Sequence, residues 1–498
     1  MVFQNNVLSG AGGSGTTVYA IDQSIRFPRT NNTTGGGYMS RTFGSAGDRT
    51  SWTWSCWFKL GTLNNFAAGS GLYYQFFACD NAKNDSNRGS FHIIADTSVS
   101  SNIQFQFQGH STVFLRTNRQ FRDPSAWMHL VLVWDSDNAI ASERARLYIN
   151  GQRETSFAAS SNPTSGQEIG INLNATHRLG ISYNISGGSV NYPFDGYMAE
   201  IHFLDGYSYG PEFFGETTSN NLWIPKEYTG SYGSNGFKID GRDASDLGDD
   251  ESGNGNDFTT SGLAAHDQVF DTPTNNFCVL NPISKPAYGS YMDINVTGQN
   301  LQVTENGDGV VQSYGYGTFA ISSGKWYYEF YTNTYPAANA IAFGWIELEN
   351  AMTATDSGSS WKTPGMNQRH TSSSYSSWTW GLNNQTATGL SEFGQGVVIG
   401  VTTDFDNNTF TLTKNGSAYG SVDFDSVSPT YTLSGVEHLP LLFFGADGAS
   451  LATLNFGQDS TFNGALSAGG NADGNGHGNF KYAVPSGALA ICSRNLGS

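Results

Sequence analysis

Charge is scarce in this chain of 498 residues: Asp, Glu, Lys and Arg make up 13% of it, against about a quarter in an ordinary soluble protein. Basic charge is scarcer still, with 24 Lys and Arg against 42 Asp and Glu and a formal charge of -18. Such a chain repels phosphate backbones and has no clustered basic stripe as a local exception, which argues against nucleic acid as a partner. No apolar run approaches the length that spans a bilayer, so membrane insertion is not expected. The start, Met1-Val2-Phe3-Gln4-Asn5-Asn6, has no basic segment followed by an apolar one, and the expectation is a protein made in a cytoplasm. Cysteine is sparse: Cys56, Cys79, Cys278 and Cys492 form no Cys-x-x-Cys pair and read as free thiols, mostly buried.

Helical periodicity is missing as well, and strand chemistry fills the space. Glycine is abundant at 61 residues and aromatics reach 14%, the profile of many short strands joined by polar turns, with bulky side chains for the cores. Two hairpins stand out. His129 to Trp134 leads into Arg146-Leu147-Tyr148-Ile149-Asn150-Gly151-Gln152, and Thr409 to Lys414 leads into Asn415-Gly416-Ser417. In both, Asn-Gly supplies the positive φ angles that a type I′ turn needs. Asn102 to Gln108 alternates strictly, which buries Ile103, Phe105 and Phe107 on one face. Trp52, Trp54, Cys56 and Phe58 share a face in the same way, and Ile201 and Phe203 oppose Glu200 and His202. The length predicts two or three domains.

Trp127-Met128-His129 before a strand, Arg146 to Gly151, and Phe194-Asp195-Gly196 with Ala199-Glu200-Ile201 together resemble the concanavalin A-like jelly roll of the laminin-G and pentraxin type. Gly324 to Phe330, Ala342-Phe343-Gly344-Trp345, Gly396 to Val401, Asp404-Phe405-Asp406, Lys414-Asn415-Gly416 and Leu454-Asn455-Phe456-Gly457 resemble a SPRY (B30.2) domain. Thr402-Thr403 departs from that family's pattern, which has an apolar residue before the aspartate. The fold class expected is all-β: an N-terminal extended arm over 1–20, a jelly roll over 21–227, a Gly/Asp-rich linker over 228–276, a SPRY-like sandwich over 277–462 and a Gly-rich C-terminal tail over 463–498. The apolar residues of that tail, Tyr482 to Val484 and Leu489 to Cys492, are expected to pack onto a neighbour. The succession resembles segments in structural proteins of tailed bacteriophages.

Candidate sites are few. The loop containing Trp361, Arg369, His370 and Tyr375 combines aromatic faces with directional donors and lies where SPRY domains bind ligands, so these four residues are the ligand-binding candidates. Trp378 and Trp380 share one strand face and read as core. The acidic run Asp240 to Glu251 offers Asp246, Asp249 and Asp250 as calcium ligands, although it lacks the spacing of a calcium loop. Glu200 and His202 read as a solvated surface pair rather than an acid/base pair. Asp404 and Asp406 are expected to cap a turn. The Glu-x-Asp-x-Glu string of jelly-roll glucanases is absent, and no catalytic residue is assigned.

These readings converge on a non-enzymatic virion protein. It would be a tail-fibre or head-fibre subunit, a homotrimer docked to other virion proteins through its arm and displaying lectin-like domains to a host-surface glycan or envelope protein. Calcium is the one cofactor considered. Three alternatives are weighed: a decoration or connector protein that only packs against other subunits, a virion enzyme that degrades polysaccharide and, most distantly, a cytoplasmic SPRY adaptor of a cell.

Overall fold

A computed structural model describes residues 19–496 except 31–33, 63–71, 81–87, 97–101, 110–111, 185–188, 283–291, 295, 306–311, 335–339, 354–364, 370–374, 380–387, 391–393, 427–429 and 445–448. The chain divides into two compact units, Met1–Asn276 and Phe277–Ser498. Each is a β-sandwich, so the protein is all-β in architecture. Among the described residues no helix is long and apolar enough to cross a membrane.

The first unit packs two eight-stranded sheets face to face. One runs Gln152–Arg153, Ala145–Ile149, Met128–Asp135, Ser51–Leu60, Gly196–Asp205, Ser24–Phe27 and Gln268–Val269, with Phe237–Ile239 also paired to Gly196–Asp205. The other runs Phe157–Ser160, Thr112–Gln120, Asn102–Gly109, Arg88–Asp96, Leu72–Asp80, Thr176–Leu179, Tyr38–Thr42 and Thr259–Ser261. Strand alternation sends Trp52, Trp54, Cys56 and Phe58 from one sheet, and Ile103, Phe105 and Phe107 from the other, into the core between them, where the hydrophobic effect on bulky side chains dominates stability. All four cysteines are buried thiols outside any disulfide.

The first sheet has a second buried face. Thr53, Ser55 and Lys59 point away from the core yet are 0% exposed, because the chain after Asp205 returns across them. Segment 228–276 is therefore not a free linker: its strands extend both sheets, and Tyr228 and Tyr232 pack with Val131, Val133 and Leu204. Polar side chains fasten this layer. Lys59 Nζ reaches Asp271 Oδ2 at 2.7 Å, Trp127 Nε1 donates to the other oxygen of Asp271 at 2.9 Å, and Arg26 Nε meets Asp267 at 3.1 Å. Removing one partner of such a buried pair leaves an uncompensated charge, at a cost of about 3–5 kcal/mol.

In the second unit a seven-stranded sheet faces an eight-stranded one. Strand Lys325–Thr334 lies between Val398–Asp404 and Ser450–Asn455. The departure at Thr403 has a use: Thr403 is 0% exposed and its Oγ1 accepts the indole N–H of buried Trp345 at 2.7 Å, so a hydroxyl takes the place of the apolar residue. The tail packs onto its own unit, with Leu489–Ala490 alongside Trp326 and Tyr327. Glu329 accepts the backbone N–H groups of Lys481 and Tyr482 at 2.8 and 2.9 Å.

Both Asn-Gly turns have the required geometry, with φ of 48° and 75° at Asn150 and Gly151 and of 49° and 77° at Asn415 and Gly416. In each, the Asn side chain also accepts a backbone N–H from the strand beyond the hairpin, His129 at 2.8 Å and Val398 at 2.9 Å.

Candidate functional site

The residues singled out for ligand binding are brought together only in part. Strand Gly365–Arg369 pairs with Tyr375–Thr379, and Arg369 stands opposite Tyr375 in that register. Trp361, His370 and Trp380 lie outside the described residues. The calcium candidates Asp246, Asp249 and Asp250 are not assembled into a metal site among the described residues. Asp250 spends both oxygens on its own loop, Oδ1 accepting from Lys238 N and Ser252 N and Oδ2 from Asn256 N, while Asp246 accepts from Gly248 N. Among the described residues no group of three or more His, Cys, Asp or Glu side chains is placed to hold a metal ion. Asp404 caps its own turn through Asn407 N, whereas Asp406 accepts from Gly324 N.

Glu200 and His202 are buried, at 5% and 3% exposure, rather than solvated. A β-bulge between Ala199 and His202 breaks the strand's alternation, and Glu200 adopts a φ of 49°, so Ala199 and Glu200 both leave the core side. Glu200 then meets His202 Nε2 at 3.1 Å, Lys238 Nζ at 3.2 Å and Tyr19 OH at 3.0 Å, and His202 Nδ1 lies 2.9 Å from Tyr232 OH. Burial raises the Glu200 pKa, but the His202 hydrogen bond and the charges of His202 and Lys238 overturn that and hold it near 2. Burial and the Glu200 carboxylate push Tyr19 up to about 12.

Ser55 Oγ and His129 Nε2, 2.8 Å apart, adjoin this cluster without forming a nucleophile and base. Trp223 Nε1 donates to His129 Nδ1 at 3.0 Å, and because indole N–H is donor only, Nδ1 is the unprotonated nitrogen. The neutral ring's proton therefore sits on Nε2 and points at Ser55, the reverse of what deprotonating serine requires. Burial holds His129 near pKa 3, fixing that neutral state. The space among Tyr19, Ser55, Trp57, His129, Glu200 and His202 admits no water-sized sphere. This cluster is a fastening, closed to substrate.

The outer face of the second sheet is different. Register aligns three rows across its strands: Arg178, Ala78, Ser90, Gln108 and Val113; then Gln75, His92, Gln106, Arg116 and Ala159; then Tyr73, Ile94, Gln104 and Gln120. Side chains opposite one another on such a face stand about 5 Å apart. Gln75 Nε2 lies 3.3 Å from His92 Nδ1, Gln106 donates to Gln108 at 3.0 Å and Gln108 to Ser90 at 3.4 Å. The middle row is sheltered, with Gln75 2% and Gln106 4% exposed. Yet Gln75 Oε1, Arg116 Nε and Arg178 Nη1 find no hydrogen-bond partner among the described residues, and each buried polar atom left so costs on the order of 1–3 kcal/mol.

Aromatic rings flank the face. Arg178 lies 4.7 Å over the Tyr183 ring, and Tyr73 meets Tyr192 at 4.7 Å. Tyr192 holds a φ of 61°, a strained backbone for an aromatic residue of the kind that clusters at ligand clamps. Nothing in the sequence reading singled out this face. Its one sequence signal is glutamine, rather than charge, at every second position from Gln104 to Gln108.

Residues 32–207 match the concanavalin A-like lectin/glucanases superfamily model and residues 325–457 the SPRY domain model. No curated protein matches the chain. Among solved structures it is similar to the native heptameric SAP-like pentraxin of Limulus polyphemus, at 18% identity over 39% of this chain and 80% of that one with a TM-score of 0.28. It is similar also to the SPRY domain of human HERC1, at 18% identity over 31% of this chain and 87% of that one with a TM-score of 0.24.

Proposed function

We propose, from a concanavalin A-like domain followed by a SPRY domain, that this chain is a saccharide-binding protein without catalytic activity. The observation that carries the reading is the outer face of the second sheet, where sheltered amides and guanidinium groups keep unspent hydrogen-bonding atoms between aromatic rings. Sites that recognise hydroxyl-rich ligands are built from such convergent polar groups beside apolar rings. Binding rather than catalysis is supported by the closed Glu200 cluster and by the orientation of the His129 proton. The purified full chain should bind a defined saccharide on a glycan array, and Gln75→Ala should weaken that binding at least tenfold. A chain that binds no saccharide overturns the reading.

The setting we propose is a virion, with the chain as a trimeric tail-fibre or head-fibre subunit docked through residues 1–20. Its support is the succession of jelly roll, Gly/Asp-rich segment and SPRY domain, which resembles structural proteins of tailed phages. Several copies on one particle multiply weak contacts into avidity. Gold-labelled antibody to residues 277–462 should decorate particles in electron micrographs, and light scattering should give the mass of three chains. Undecorated particles overturn the virion setting.

A further inference from the structure

Resting on the saccharide reading, we infer that the glycan taken by this face is acidic, its sugar rings carrying carboxylates that pair with Arg116 and Arg178. In a chain of net charge -18, buried cations normally find carboxylates nearby. On the first sheet's outer face they do: Lys59 has Asp271, Arg26 has Asp267 and Lys238 has Glu200. The three rows on the second sheet contain two arginines and no Asp or Glu; the acidic residues of this face stand in the flanking rows, Asp80 opposite Arg88 and Asp96 opposite Asn102. Neither arginine has an ion-pair partner among the described residues, and each keeps an unspent N–H.

The chemistry of these atoms selects the ligand. A guanidinium is a planar fork that fits a carboxylate through two parallel hydrogen bonds, and such charge-assisted bonds are roughly twice as strong as neutral ones. A neutral sugar offers the fork only hydroxyls. Arg178 is held in place by stacking on Tyr183, so less of its side-chain freedom remains to be lost on binding. The strands Leu72–Asp80, Arg88–Asp96 and Asn102–Gly109 lie between those of Arg178 and Arg116. That places the two arginines on the order of 19 Å apart, at about 4.8 Å per strand. One carboxylate cannot serve both. A chain of acidic sugars laid across the strands can, with Gln75 and Gln106 between the arginines to meet its hydroxyls through amide groups that both donate and accept.

The test uses the full chain with oligomers of polygalacturonate, alginate and polysialate, each beside the same oligomer with its carboxyls reduced to alcohols. At least one acidic form should bind tenfold or more tighter than its reduced form in calorimetry. The double variant Arg116→Gln/Arg178→Gln should erase that preference, so that acidic and reduced forms bind alike, and Arg116→Lys/Arg178→Lys should restore part of it. Equal binding of acidic and reduced forms, or an acid preference that survives the glutamine variant, overturns the inference and leaves saccharide binding standing. Absence of binding to every oligomer and to a neutral glycan array overturns both. Should the glutamine variant not fold, the reduced-oligomer comparison on the unaltered chain decides the question by itself.

Discussion

Glu200 in the first unit and Glu329 in the second are both buried strand glutamates, 5% and 0% exposed, and their acidities move in opposite directions. For Glu200 burial is outweighed by His202 and Lys238, and the carboxyl falls to about 2. For Glu329 burial wins and carries the carboxyl up to about 7, although the amides of Lys481 and Tyr482, the Tyr327 hydroxyl and Asn455 all favour the ionised form. Burial is common to both sites; the difference is a cation. Neutral donors, even several together, do not replace His202 and Lys238 at 3.1 and 3.2 Å. One glutamate is a permanent anion in a polar lock, and the other holds the returning tail with a charge that varies near neutral pH.

Removing the cation breaks the contrast most severely. Lys238→Met takes the ammonium at 3.2 and 3.3 Å from Glu200 and Asp240, leaving Glu200 to His202 and Tyr19 and Asp240 to the exposed Arg242, and should cost the first unit about 3 kcal/mol, read from hydrogen exchange of its peptides in urea. Titration sharpens the contrast without mutation. Glu200, depressed from 4.5 to about 2, contributes stability that is complete above pH 4.5 and disappears as pH falls toward 2. Glu329, raised from 4.5 to about 7, contributes stability that is complete below pH 4.5 and disappears as pH rises through 7. Each swing is on the order of 3 kcal/mol at 1.36 kcal/mol per unit. Calorimetry from pH 2 to 8 should show the two units melting with opposite slopes, with Glu200→Gln reducing the first, to which buried neutral His129 and His177 also contribute, and Glu329→Gln reducing the other.

The smallest effect concerns what the units share. Asn150→Ala and Asn415→Ala each lose one accepted backbone hydrogen bond and a residue that tolerates positive φ, and each should cost about 1–2 kcal/mol. Unequal costs in thermal melts would mean that the surrounding sheets, rather than the turns, set the stability of these hairpins.

Local chemistry made much of the fold readable. Asn-Gly identified both turns, and alternation placed Trp52, Trp54, Cys56 and Phe58 in the core. What alternation cannot report is a third layer. Thr53, Ser55 and Lys59 look like a solvent face until the chain after Asp205 folds back over them, and the same return buries Glu200 and His202. The bulge at Ala199 also interrupts the parity on which the reading depended. The glutamine face stayed hidden because its rows are assembled from strands far apart in sequence, Gln75 and Arg116 for example, which only register brings into line.

Strand Ser24–Phe27 sits between Gly196–Asp205 and Gln268–Val269, and Ser24 Oγ donates to the carbonyl of Asp271, 247 positions later. During translation, this early strand must therefore wait for most of the unit to leave the ribosome before either flank exists. Contacts so distant in sequence make for slow acquisition of structure. A nascent chain halted after Asp205 would leave one flank of that strand bare, a template for pairing with another molecule, so completion of residue 276 is also the moment at which this half of the protein becomes safe from its neighbours.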